Sequence, residues 1–143
     1  MILRKTFRFE ASHLLPRHNG KCRRLHGHSW VLHVFVDGTI NKETGFVMDY
    51  ALISEQVKPL IEKLDHRHLG AWPSTNLETH LGFEGDFSIW SVEGLPEDFY
   101  PSSENLLVWI GKKLISLEWS KLALEETCTS YCELTRKELL EKY

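Results

Sequence analysis

Cysteine is scarce in this 143-residue chain, with three residues, Cys22, Cys128 and Cys132. An odd count with no CxxC spacing excludes a disulfide framework and a thiolate zinc knuckle, and predicts reduced thiols in a cytoplasmic protein. No apolar run approaches the roughly 20 residues needed to span a bilayer. The start, Met1-Ile2-Leu3-Arg4-Lys5, has no long apolar stretch of the kind a secretory signal carries. There is no excess of basic residues either: the formal net charge is −3. That removes the electrostatic basis for nucleic-acid binding or a polybasic membrane anchor. Between residues 70 and 101 there is no Lys or Arg, whereas acids and aromatics are plentiful. The chain as a whole, 42% hydrophobic and 26% charged, is ordinary for a globular domain able to bury a core without staples.

Against this background the histidines stand out. His26-Gly27-His28 places two imidazoles at i and i+2, the same side of an extended strand, and the Gly between them removes bulk. His13, in Phe9-Glu10-Ala11-Ser12-His13, would add a third imidazole from a neighbouring strand. Three protein ligands with a fourth position open is the arrangement of a catalytic zinc, whereas structural zinc is closed by four. Cys22 lies four residues before His26, in the basic stretch Lys21-Cys22-Arg23-Arg24. Positive neighbours favour thiolate chemistry, so this cysteine is a candidate acid–base partner. His18, His33, His68 and His80 lack such company and read as ordinary.

Hydrophobic periodicity supplies the scaffold. Thr6 to Ala11 and Ser29 to Val36 read as strands. A helix from Asp49 or Tyr50 to about Leu64 carries an apolar stripe, and Pro59 inside it predicts a kink or break. A second helix opens at Ser102-Ser103-Glu104-Asn105, with Ser as cap. Leu122 to Thr129 and Tyr131 to Thr135 read as two final strands, and Arg136 to Tyr143 as a short charged helix. The order ββααββ predicts one α+β domain over residues 1–143, an antiparallel sheet with helices on one face. The acidic, aromatic stretch 70–101 reads as an ordered insertion, with a hairpin around Phe87 to Val92. It is expected at the rim of the site or on an outer edge, away from the core sheet.

Five segments now occur together in one order: Phe9-Glu10-Ala11-Ser12-His13, Cys22-Arg23-Arg24-Leu25-His26-Gly27-His28, Leu64-Asp65-His66, Pro101-Ser102-Ser103-Glu104-Asn105 and Glu126-Thr127-Cys128-Thr129. In this the chain resembles the 6-pyruvoyl-tetrahydropterin synthase superfamily, most closely its bacterial 6-carboxy-tetrahydropterin synthase branch of the queuosine pathway. The resemblance implies a tunnelling fold (T-fold) and a homo-oligomer, a hexamer made of two trimers. It implies Zn²⁺ on His13, His26 and His28, Cys22 as general base, and Asp65 and His66 as a proton relay reaching a neighbouring subunit. It also implies a small-molecule pterin substrate anchored by Glu126, with Ser102 and Ser103 beside it. Glu125 should face the other way, by strand alternation. Arg24, with Arg17, Lys21 and Arg23, is a candidate for the substrate's triphosphate. The implied activity is a lyase-type conversion of 7,8-dihydroneopterin triphosphate to 6-carboxy-5,6,7,8-tetrahydropterin, releasing acetaldehyde and triphosphate. The same scaffold would also suit a pyruvoyl-forming or aldolase-like reaction, or a pterin-binding module without turnover.

Overall fold

The computed structural model describes residues 1–70 and 91–143. Two twelve-residue strands, β1 (Ile2–His13) and β2 (His26–Asp37), pair antiparallel along their whole length, from Ile2↔Asp37 to His13↔His26. Both run further than the alternation indicated, because the histidine-bearing ends are part of the ladder. Helix α1 (Tyr50–Leu64) follows, with the Asp49 side chain accepting from Ala51 N at its start. A two-residue strand, β3 (Arg67–His68), then pairs parallel with β1. Helix α2 (Ser103–Lys113), strands β4 (Lys121–Thr127) and β5 (Ser130–Thr135), and helix α3 (Arg136–Lys142) complete the described elements.

The sheet order is β3-β1-β2-β4-β5. It is therefore mixed, where the sequence predicted an antiparallel sheet: β3 is too short to leave a periodic signature. Phe9, Trp30, Leu32, Leu122 and Leu124 fill its covered face against Ile53, Leu64, Leu106 and Ile110 of the helices. The opposite face carries polar residues, including Thr6, His33 and Glu125.

Pro59 does not break α1, which runs through it. The proline is solvent-exposed, while the buried Ile53, Val57, Leu60 and Leu64 keep the helix docked. Most of the hairpin expected around Phe87 to Val92 lies outside the described residues. The end of the 70–101 stretch is more central than expected. Ser91 bridges His68 in parallel, Val92 is buried, and Leu95 and Phe99 pack against the core. No helix among the described residues is long and apolar enough to cross a membrane.

Candidate metal centre

The β1–β2 ladder brings the three predicted imidazoles together. His13 pairs with His26 and Ala11 with His28, so all three side chains emerge at the same end of the covered face. Their ligand nitrogens lie within 4.8 Å of one another. Gly27 contributes differently from the sequence expectation. It points to the other face, where an added Cβ would stand 3.2 Å from the Ala11 carbonyl oxygen, so a side chain would push the two strands apart.

Backbone carbonyls fix the ring orientations. His13 Nδ1 donates to Pro101 O at 2.7 Å, and His26 Nδ1 donates to Arg24 O at 2.7 Å. A carbonyl only accepts, so both Nδ1 atoms carry the proton and both Nε2 atoms present lone pairs. Those Nε2 atoms face each other at 3.1 Å. His28 Nε2 is buried without a hydrogen-bond partner among the described residues. Burial pushes the His13 pKa down to about 4, against the raising effect of the bond to Pro101 O and helped by the two neighbouring imidazoles. Burial also lowers that of His28, and the Glu126 carboxylate works in the opposite direction. Lone pairs that converge on one point repel unless a cation sits among them. These three residues can hold a metal ion, and imidazole donors suit zinc, copper, iron or nickel.

Trp30 backs the cluster. Its ring stands edge-on to His13 and His28, with centroids 5.3 and 5.4 Å away, and its indole N–H donates to Ala11 O at 3.2 Å. Glu126 reaches the same place from β4, its Oε1 lying 3.6 Å from His13 Nε2 and 3.9 Å from His28 Nε2. Glu125 faces away and accepts from His33 Nε2 at 2.6 Å, while His33 Nδ1 is 2.9 Å from Thr6 Oγ1. A register shift between Glu125 and Thr127 in the β4–β5 pairing marks the bulge at which Glu126 sits.

The remaining candidates are distributed around this core. Asp65 and His66 form a pair along the edge of β1, just before β3. Asp65 Oδ1 accepts from Glu10 N at 2.7 Å, Oδ2 accepts from His66 Nδ1 at 2.8 Å, and His66 N donates to Glu10 O at 2.6 Å. The Glu10 hydrogen bond, with help from His66, holds the Asp65 pKa below its ordinary value. His66 adopts φ +57, uncommon for a residue with a side chain, and its imidazole is 79% exposed. A cavity of about 430 Å³ contains both His66 and His28 in its wall. A second, of about 520 Å³, joins His28 to Arg8, Glu125, Glu126 and Cys128.

Cys22 is half-buried in the 3-10 turn Lys21–Arg23, in the loop between the two ligand-bearing strands. Arg24 offers its carbonyl to His26, while its side chain is exposed. Arg17 lies 4.4 Å above the Tyr100 ring. Ser102 caps α2 through Asn105 N, and Ser103 Oγ donates to Glu104 Oε2 at 3.3 Å. Burial pushes the Cys132 thiol up to about 11, which keeps it protonated. The sequence reading missed two features. The Pro101 and Arg24 carbonyls act through main-chain atoms, which leave no residue signature. His68, read as ordinary, is buried 3.1 Å from Ser12 Oγ, and burial pushes its pKa down to about 4.

Comparison with known proteins bears on what such a cluster serves. The chain is 37% identical over 137 residues to 6-carboxy-5,6,7,8-tetrahydropterin synthase of Synechocystis sp., covering 90% of this chain and 88% of that protein. It is 31% identical over 137 residues to the Haemophilus influenzae protein of the same name, covering 90% and 94%. Among solved structures, Caenorhabditis elegans 6-pyruvoyl tetrahydropterin synthase matches with a TM-score of 0.70 at 21% identity, over 94% of each chain. A Wolinella succinogenes protein of uncharacterised function matches equally well, with a TM-score of 0.70 at 19% identity over 94% of this chain and 97% of that one. The fold is thus the expected α+β T-fold. With the 6-pyruvoyl tetrahydropterin synthase family model matching residues 2–137, the chain belongs to that family.

Proposed function

We propose that this chain is a zinc-dependent 6-carboxy-5,6,7,8-tetrahydropterin synthase. It would convert 7,8-dihydroneopterin triphosphate, with uptake of water, to 6-carboxytetrahydropterin, acetaldehyde and triphosphate, as a step in making queuosine-type 7-deazapurines. The observation that carries this reading is the convergence of three imidazole lone pairs beside a carboxylate, in a chain 37% identical to a curated protein of that name. His13, His26 and His28 would hold the zinc. Bound there, Zn²⁺ supplies Lewis-acid polarisation of the substrate's side-chain oxygens.

The chain's own groups divide the remaining tasks. Glu126, turned toward the histidines, accepts hydrogen bonds from the amino and ring N–H groups of the pterin and fixes its plane. Ser102 and Ser103, at the start of α2, offer backbone and hydroxyl contacts to the same ring. Cys22 takes the proton from the side-chain carbon. His66, oriented by Asp65, returns or relays it. The dyad is rigid at its base yet exposed at its tip, so its working partner belongs to another subunit of a homo-oligomer, a hexamer built as two trimers. Arg24, with Arg17, Lys21 and Arg23, meets the triphosphate. Three free thiols fit a reducing, cytoplasmic setting.

The test is product identification by mass after incubating zinc-loaded protein with 7,8-dihydroneopterin triphosphate. Carboxypterin and acetaldehyde are expected. Unchanged substrate, or a Cys22→Ala variant as active as the parent, overturns the reading. A pyruvoyl pterin or glycolaldehyde would assign the scaffold to the corresponding sister reaction.

A further inference from the structure

We propose that Gly70 and Pro101 form a clamp that sets the orientation of His13, making both positioning residues for metal affinity; the inference rests on the three-imidazole reading above. His13 is fully buried, and its ring angle is governed by the 2.7 Å bond from Nδ1 to the Pro101 carbonyl. Two supports hold that carbonyl. On one side the start of α2 grips the preceding residue: Tyr100 O accepts from Ser102 N at 2.9 Å and from Asn105 Nδ2 at 3.0 Å.

On the other side the proline ring lies against the bare α-carbon of Gly70. A Cβ there would stand 3.1 Å from Pro101 Cγ, 3.4 Å from Cδ and 3.5 Å from Cβ, and the glycine has φ +115. Gly70 is itself anchored, because Leu69 N donates to Ser12 O at 2.8 Å, one residue before His13. The contacts close a circuit, Ser12 to Leu69 to Gly70 to Pro101 to His13, behind the ligand. A proline ring is bonded to its own nitrogen and α-carbon, so it cannot rotate away from an intruding methyl. A change of pucker relieves Cγ alone, and the remaining push passes to the main chain and displaces the carbonyl. His13 then turns out of line with His26 and His28.

The test uses full-length protein and Zn²⁺ alone, in competition with a chromophoric chelator, with the Co²⁺ ligand-field spectrum as a second readout. Gly70→Ala is expected to raise the zinc Kd by about 10–100-fold, the range seen when the partner of a ligating imidazole is disturbed. Gly45→Ala is the control for a positive-φ glycine without the contact: Gly45 has φ +77 with nothing among the described residues within 4 Å of an added Cβ. Its Kd should equal the parent's. Pro101→Ala keeps the carbonyl but removes the ring, and is expected to raise Kd by about threefold or more. The double variant should fall back to the Pro101→Ala value, because the obstacle is gone. Equal Kd values for Gly70→Ala and Gly45→Ala overturn the clamp. If Gly70→Ala does not fold, a Pro101→Ala Kd equal to the parent's overturns it instead. A parent protein without zinc affinity would defeat the functional reading itself, which is a separate result.

Discussion

Each imidazole of the cluster has one nitrogen to give, and the burial that keeps His13 neutral also sets a pH dependence. The folded-state pKa values of His13 and His68 are pushed to about 4, below the ordinary 6.5. Between those values the unfolded chain binds more protons than the folded one, so stability falls as pH drops from about 6.5 to about 4 and is fully present above 6.5. Denaturant titrations of the zinc-free protein at pH 7.5, 6 and 5 should show that decline, with a shallower slope in His68→Leu. A flat profile would contradict neutral burial. The adjacent acids provide a sharper contrast. Glu126→Gln should raise KM for the pterin by about tenfold or more, through loss of a charge-assisted anchor. Glu125→Gln, which touches His33 on the other face, should leave KM unchanged. Steady-state kinetics on the two variants separates them. Cys22→Ala should lower kcat by about 10²–10⁴-fold while zinc content stays at the parent level, measured by metal analysis.

Among the elements, α1 shows where pattern and packing disagree. Proline in a helix interior costs about 3 kcal/mol, yet here the apolar stripe outweighs it. Pro59→Ala should therefore stabilise the protein by about 1–3 kcal/mol, visible as a higher urea midpoint with unchanged slope. Much of the site was legible from residue spacing. Alternation alone put His26 and His28 on one side and sent Glu125 and Glu126 to opposite faces. Helix α2 and its Ser102 cap were legible from the same kind of signal. What escaped was whatever side chains do not encode. The Pro101 and Arg24 carbonyls are common to every residue type, and β3 offers two residues where a period needs several. The burial of His68 arises from the parallel pairing of Ser12 with His68, and that pairing is a tertiary event.

Across the whole molecule, the proposed relay of Asp65 and His66 carries a test of its own. The pair is fastened to the Glu10 backbone but presents its imidazole to the exterior. If it serves a neighbouring copy, Cys22→Ala and His66→Ala proteins, each inactive alone, should regain turnover when unfolded together and reassembled. Continued inactivity of the mixture would confine the relay to a single chain. The bulge in β4 has a consequence for descent as well as for chemistry. Two identical acids sit side by side, and only the local phase of the ladder decides which one looks toward the imidazoles. Losing or gaining one position within β4, between Leu124 and the glutamates, would exchange their duties without altering a single functional group. Relatives that differ in length there therefore have to be compared by strand phase, because counting glutamates will match the wrong pair.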